Sequence, residues 1–475
     1  MLDWLRRRPL LAITALAALL RLPTLGLESL WYDEAFTAWL ANLPIGNLWA
    51  ATLGDVHPPT WYLIEWAVSH SIGTGEFSLR LVSALAGVAL VPAVWRLSGH
   101  FHATRNTQHT AALVTALAPF TIYYSQEARP YSLLMLATTL ATVGLLERKW
   151  WLLVLAGSFS LYLHNLAVLY VAALVWLGIF RWRLEWRMLG SFGLIGMIWL
   201  PWLIWGLLHQ VSDVQSGFWV RPPNPGTPAY ILNALLFSES AAFLAINAGM
   251  LSGLLLLLAW QDIKRQVELT GLVVVCLGLA CILSVLITPV LIVRVMAPLA
   301  PVLYSLVAPV LARSRLIAAL ALVTVATWLG AYWLSDQVGR SSALQGLESF
   351  QLEPGDGIYH GNLSSYITMR YYLPDVPQVV WKQAGDLSQS LTEPTKAAMG
   401  MEQTTFEAVK CQRPRWWIIT ASNPTTSPAE RAYLNDLLAR NHGEQHAVIK
   451  QTGLVDARLW LVDTRAACNV AEAAR

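Results

Sequence analysis

The first residues in this sequence able to do chemistry are two adjacent carboxylates. Asp33 and Glu34 lie in Leu27-Glu28-Ser29-Leu30-Trp31-Tyr32-Asp33-Glu34-Ala35-Phe36, directly after the first long apolar run. Trp and Tyr favour the boundary between membrane and water, whereas a carboxylate near hydrocarbon is costly and usually persists because function requires it. Where water is scarce its pKa rises toward the range of a general base, able to take the proton of a hydroxyl nucleophile. The plainer reading is a helix start with acids favoured by the dipole.

Three further motifs supply complementary groups. In Gly54-Asp55-Val56-His57-Pro58-Pro59 the rigid Pro-Pro step can hold the His57 imidazole toward Asp33, as a ligand or a hydrogen-bond donor; the alternative is turn chemistry with an incidental His. Asp33, Glu34 and His57 are thus the set a divalent metal would use, since hard cations favour carboxylates. In Tyr123-Tyr124-Ser125-Gln126-Glu127-Ala128-Arg129-Pro130-Tyr131, Arg129 can grip a phosphate with two hydrogen bonds. Glu127 would orient Arg129 or reach a metal, with Tyr131 as a supporting residue. In Thr288-Pro289-Val290-Leu291-Ile292-Val293-Arg294 an apolar run breaks and Arg294 opens the next helix. An arginine at membrane depth needs an anionic partner or snorkels to head groups. Arg221, in a Pro-rich loop, is a lesser phosphate candidate, and His164-Asn165 a lesser one still.

The elements that must position these groups are membrane helices. Of 475 residues, 56% are hydrophobic and 13% charged, where soluble domains carry about 25% charged; mean hydropathy is +0.48. The net charge of +3 and the lack of a basic tract leave no nucleic-acid partner in view. Apolar runs near 9–27, 77–98, 109–125, 130–147, 150–164, 165–180, 188–208, 240–260, 269–288, 292–312 and 316–334 predict about eleven spans. The two runs meeting at His164-Asn165 could instead form one long helix and a re-entrant piece. Arg6-Arg7-Arg8 before the first run resembles a signal peptide, but the many later runs favour a retained first helix.

Positive charges set the orientation. With a cytoplasmic N-terminus the inner loops collect Arg6, Arg7, Arg8, Arg105, Arg148, Lys149, Arg181, Arg183, Arg187, Lys264, Arg265, Arg313 and Arg315, and the outer ones collect acids. The chemistry then belongs to the outer face of a cytoplasmic (inner) membrane. A first outer loop over about 28–76 carries amphipathic pieces near 34–42 and 58–71, the second holding Glu65 and lying in the interface. After the spanning domain (1–335), residues 336–475 read as a small extracytoplasmic α/β domain, with strands at Trp416–Thr420 and Arg458–Val462 and a helix at Pro428–Leu438. Cys411 precedes the first strand and Cys468 follows the second. If those strands are neighbours in an oxidising compartment, the two can form a disulfide.

The order of these elements is more specific than any one of them. Arg21, WYDEAF, HPP, Glu76-Phe77-Ser78-Leu79-Arg80-Leu81 and YYSQEARPY together resemble the GT-C glycosyltransferases. Within them the chain is most similar to bacterial relatives of protein O-mannosyltransferases and of the lipid A aminoarabinose transferase. The resemblance covers roughly residues 10–330 and is densest over 20–135. It implies a polyprenyl-phosphate-linked sugar donor used on the outer side of the membrane, Asp33 as the essential acid, and Arg129 and Arg294 on the lipid phosphate. The acceptor would be a lipid, a glycan or a protein. A phosphate leaves as an anion held by Arg or metal and needs little acid help, so one base for the acceptor suffices, and a single displacement inverts the sugar carbon. Two other classes stay open: a ligase or polymerase moving a lipid-linked oligosaccharide, and a carrier for an anionic lipid or sugar. A carrier would want its charges near the bilayer midplane, whereas these acids cluster at one face.

Overall fold

The computed structural model describes residues 8–55, 57–207, 220, 222–238, 242–260, 266–334, 351–382, 391–422, 428–451, 455–465 and 468. The chain divides into two compact units, Met1–Gly26 with Val56–Ile64 and Phe77–Ser335, and Leu27–Asp55 with Glu65–Glu76 and Asp336–Arg475.

The first unit is helical and apolar, as expected of a multi-pass membrane protein. Among the described residues, five helices are long and apolar enough to cross a membrane: Glu76–Ser98, Trp186–Gly206, Val267–Leu286, Val293–Arg313 and Arg315–Trp333. Shorter apolar helices include Pro9–Arg21, Tyr131–Leu146, Trp150–Leu163 and Ala167–Trp182. The run read as one span over 109–125 is two helices, Arg105–Leu117 and Pro119–Ser125. Pro119 has no N–H to continue the ladder, and it pushes Ala118 to an extended ψ of 125°. The pair of runs at His164-Asn165 is likewise two helices, with His164 extended between them. Tyr131–Leu146 and Trp150–Leu163 pack closely because Gly144 has no side chain, where a Cβ would lie 2.7 Å from the backbone nitrogen of Leu153. The core beneath the site joins Tyr124, Tyr131, Leu163, Ala167, Val293 and Met296 in one buried cluster.

The second unit is built on a six-stranded sheet: β1 Gly357–His360, β2 Gln378–Trp381, β3 Gln403–Thr404, β4 Arg415–Ser422, β5 Glu444–Gln451 and β6 Val455–Asp463. Their order is β3-β2-β1-β4-β6-β5. β1 runs parallel to β2 and β4, and β6 pairs antiparallel with both β4 and β5. Alternation along β4 sends Trp416 and Ile418 into one buried layer with Tyr359 and Phe406, and Trp417 and Ile419 into the other with Ile358 and Leu459. Both faces are covered, which is why the strand reads as a continuous apolar run. Burial would raise the Asp356 carboxyl, but Arg415, bonded to it at 2.7 and 2.9 Å, and the Trp417 indole at 3.0 Å hold it below the usual range.

This unit also contains the helices Tyr32–Ala41 and Ile45–Leu53. Residues of the first outer loop thus share a compact body with the C-terminal residues.

Cys411 and Cys468 form a disulfide with Cα atoms 5.5 Å apart, closing a separation of 57 residues. Replacing both by Ser is expected to lower the stability of this unit by about 2–4 kcal/mol. Pulse proteolysis across a denaturant series, following the C-terminal fragment, measures it; an unchanged midpoint in the double variant would leave the bridge without a stabilising role.

Candidate functional site

One group of polar residues is assembled inside the first unit from four distant stretches of chain. Ser125 ends a helix, and a short turn in which Arg129 N–H bonds the Glu127 carbonyl at 2.7 Å leads into the Tyr131–Leu146 helix. The backbone of this turn is fixed from outside itself. Trp61 Nε1 donates to the Ala128 carbonyl at 3.2 Å, and Ser83 Oγ to the Arg129 carbonyl at 2.9 Å. With its backbone fixed, the Arg129 side chain is 3% exposed, and its Nη2 faces His57 Nε2 at 3.3 Å. An arginine nitrogen only donates, so His57 accepts at Nε2.

The His57 ring meets the His164 ring edge-on at 5.3 Å, and Tyr131 lies 6.2 Å from His164 on another side. His164 Nδ1 accepts from Leu166 N–H at 3.1 Å. It lies within electrostatic reach of His57, Arg129 and Arg294. The break before Arg294 is real, since Val293–Leu299 is a 3-10 turn leading into the Ala300–Arg313 helix. Two guanidiniums and two imidazoles are therefore gathered in one place, an arrangement suited to an anion such as a phosphate. Glu127 is buried beside them at 1% exposure. Arg221 lies outside the described residues, as do Asp213, Glu239, Lys264 and Arg265.

Asp33 and Glu34 belong to the second unit. They occupy the first turn of the Tyr32–Ala41 helix, where the N-terminal dipole favours acids. Their surroundings differ. Glu34 is completely buried, and its Oε2 accepts from Trp31 N–H at 3.4 Å, capping the helix. Asp33 is half-buried, and its carbonyl accepts from Thr37 Oγ1 at 3.0 Å. Of the pair, Asp33 is the one that keeps access to solvent.

Glu65 is also completely buried, and neither of its carboxylate oxygens has a hydrogen-bond partner among the described residues. Burial, reinforced by the nearby Glu34, pushes its carboxyl well above the usual range. The sequence placed Glu65 in an interfacial helix without a role; a lone acid among Trp, Tyr and Ile was the available signal. His164 had a similar signal, a polar pair interrupting apolar runs.

Among the described residues, no three His, Cys, Asp or Glu side chains gather where a metal ion could sit. His57 also turns its accepting nitrogen to a guanidinium, where a metal ligand needs that lone pair.

By sequence, no family model and no curated protein matches the chain. In three dimensions it is similar to ArnT from Cupriavidus metallidurans in the apo state, with a TM-score of 0.61 and 13% identity, over 94% of this chain and 97% of that one. It is equally similar to the same protein bound to undecaprenyl phosphate, with a TM-score of 0.60. An oligosaccharyltransferase from Archaeoglobus fulgidus, crystallised with zinc and sulfate, gives a TM-score of 0.42 at 14% identity, over 66% of this chain and 50% of that one, too low to carry an argument. At 13% identity the likeness to ArnT is one of fold, shared over nearly the whole of both chains.

Glu65 yields a pH signature. It binds its proton more tightly folded than unfolded, so its stabilising contribution is complete below its ordinary value of 4.5 and is lost as pH rises toward the higher folded value. Glu65→Gln removes that slope. The variant's melting temperature should match or exceed the natural chain's, with a margin that grows as pH rises from 4.5 upward. Thermal unfolding in detergent across pH tests this, and a margin that shrinks with rising pH would show Glu65 to be stabilised as the anion.

Proposed function

We propose that this chain is a membrane glycosyltransferase that moves a sugar from a polyprenyl-phosphate donor to a hydroxyl of a lipid, glycan or protein acceptor. The observation carrying this reading is the gathering of Arg129, Arg294, His57 and His164 within a helical body apolar enough to receive a lipid tail. The fold likeness to an ArnT structure holding undecaprenyl phosphate supports the same donor class.

The chemistry assigned to these residues is a single displacement. The acceptor oxygen attacks the anomeric carbon as the bond from that carbon to the phosphate oxygen breaks, and the electron pair leaves with the phosphate. Arg129 and Arg294 hold the phosphate and stabilise the charge it gains, with no proton needed by the leaving group. Asp33 accepts the hydroxyl proton, and the sugar carbon inverts. Glu34 supports Asp33 by fixing the helix start. The reaction is placed on the outer face of the inner membrane, with the N-terminus cytoplasmic and residues 336–475 extracytoplasmic, as the arginine asymmetry of the loops implies.

Asp33→Asn should fold and insert normally yet lose turnover by about 10²–10⁴-fold, the usual worth of a general base. Release of polyprenyl phosphate from extracted lipid-linked sugars measures it, and near-normal release by the purified variant would remove Asp33 from this role.

Arg129→Lys and Arg294→Lys replace a two-pronged donor by a point charge. Each should weaken undecaprenyl phosphate binding by roughly tenfold, the loss of one charge-assisted hydrogen bond. Calorimetry with undecaprenyl phosphate in nanodiscs decides it; equal affinity in both variants would reduce the two arginines to head-group snorkelling.

A further inference from the structure

The helix bearing Asp33 is secured by the C-terminal part of the chain. Leu30 is completely buried, one residue before the Trp31 cap, so its N–H must find a partner inside the protein. That partner is the Tyr372 hydroxyl at 2.6 Å, at the end of the Leu363–Tyr372 helix. The same hydroxyl donates to Glu76 Oε1 at 2.9 Å, and the adjacent Tyr371 hydroxyl to the Thr74 carbonyl at 2.6 Å. Two consecutive tyrosines therefore hold both ends of the first outer loop, its entry at Leu30 and its exit at Thr74 and Glu76. The middle is held as well, since Thr395 Oγ1 donates to the Ala51 carbonyl at 2.9 Å and Thr392 Oγ1 to the Gly54 carbonyl at 3.1 Å. Gly54 has to be glycine there, because a Cβ would come within 2.4 Å of the Thr392 hydroxyl. The Trp39 ring, one turn beyond the acids, lies 5.7 Å from that of Tyr366.

We infer that the C-terminal domain serves as the seat of the acid helix, with Tyr372 a positioning residue for Asp33; this rests on the transferase reading above. A phenol suits the role because one oxygen can accept from Leu30 N–H while its own hydrogen goes to the Glu76 carboxylate. Burial, with Glu76 alongside, keeps that phenol protonated, so the link is made at every physiological pH. A phenylalanine would keep the ring and lose both bonds, leaving a buried N–H unpaired at the start of the helix.

The test uses the purified full chain carrying Tyr372→Phe. Hydrogen exchange in peptides covering residues 28–38 should rise at least about tenfold, while melting shifts by only a few degrees. Turnover of the polyprenyl-phosphate-sugar fraction extracted from the cell's own membranes should fall about tenfold or more in kcat, with KM for that donor unchanged, because misplacing a catalytic group costs rate rather than binding. Glu76→Gln keeps an acceptor oxygen for the phenol and should retain more turnover than Glu76→Ala. Natural kcat in Tyr372→Phe, a fall expressed in KM alone, or unchanged exchange over 28–38 would each overturn the positioning role. If the natural chain itself releases no polyprenyl phosphate, it is the transferase reading that fails, and the exchange measurement still decides whether Tyr372 anchors the helix.

Discussion

A single buried guanidinium sets the frame on which the cationic site is hung. Arg21 is completely enclosed at the end of the Pro9–Arg21 helix, where a charge is tolerated only if every donor is occupied. Its Nη1 reaches the Ala116 carbonyl at 2.9 Å, its Nη2 the Thr115 carbonyl at 3.1 Å, and its Nε the Ser125 hydroxyl at 3.1 Å. The two carbonyls are ones the kink at Pro119 leaves without a helical N–H, and Thr121 Oγ1 shares the Thr115 carbonyl at 2.7 Å. Gln126 Nε2 adds a bond back to the Arg21 carbonyl at 3.1 Å. Room for this comes from Gly87, where a Cβ would fall 3.2 Å from Arg21 Nε and collide with Ser125. The chain from Thr115 to Gln126 is thereby fixed to the first helix, and Arg129 follows three residues later with its own backbone bound by Trp61 and Ser83.

Much of this was legible in the sequence, and the gaps have a physical pattern. The Arg129 motif, His57 and Arg294 stood out because polar residues at breaks between apolar runs cannot be explained by burial. The sheet strand at Trp416–Thr420 stood out because a strand covered on both faces is apolar throughout. β5, Glu444–Gln451, gave no such signal, since it pairs only with β6 at the sheet edge and carries Glu, Gln, His and Lys. The division of the chain was also hidden. Hydropathy separates 336–475 from the spans but says nothing of which soluble segments pack together, so the joining of 27–55 and 65–76 to that unit is seen only in three dimensions. The tyrosines that make the join are ordinary amphipathic residues in sequence. Pairing across some 300 positions leaves no periodicity to read.

The two adjacent acids looked interchangeable in sequence, and their surroundings separate them. Successive residues of a helix point about 100° apart, so one can face the core while the next faces out. Glu34 takes the inward direction, where its oxygen caps the Trp31 N–H and it lies near the buried Glu65. Two carboxylates enclosed together cannot both carry charge cheaply, and burial holds the Glu65 carboxyl, without a hydrogen-bond partner among the described residues, well above the usual range. Glu34 is then left to complete the cap, and Asp33, one position earlier, stays half-buried. The capped first turn gives Asp33 a fixed backbone direction. The acid beside Asp33 is thus committed to structure, which leaves Asp33 as the member of the pair still open to solvent.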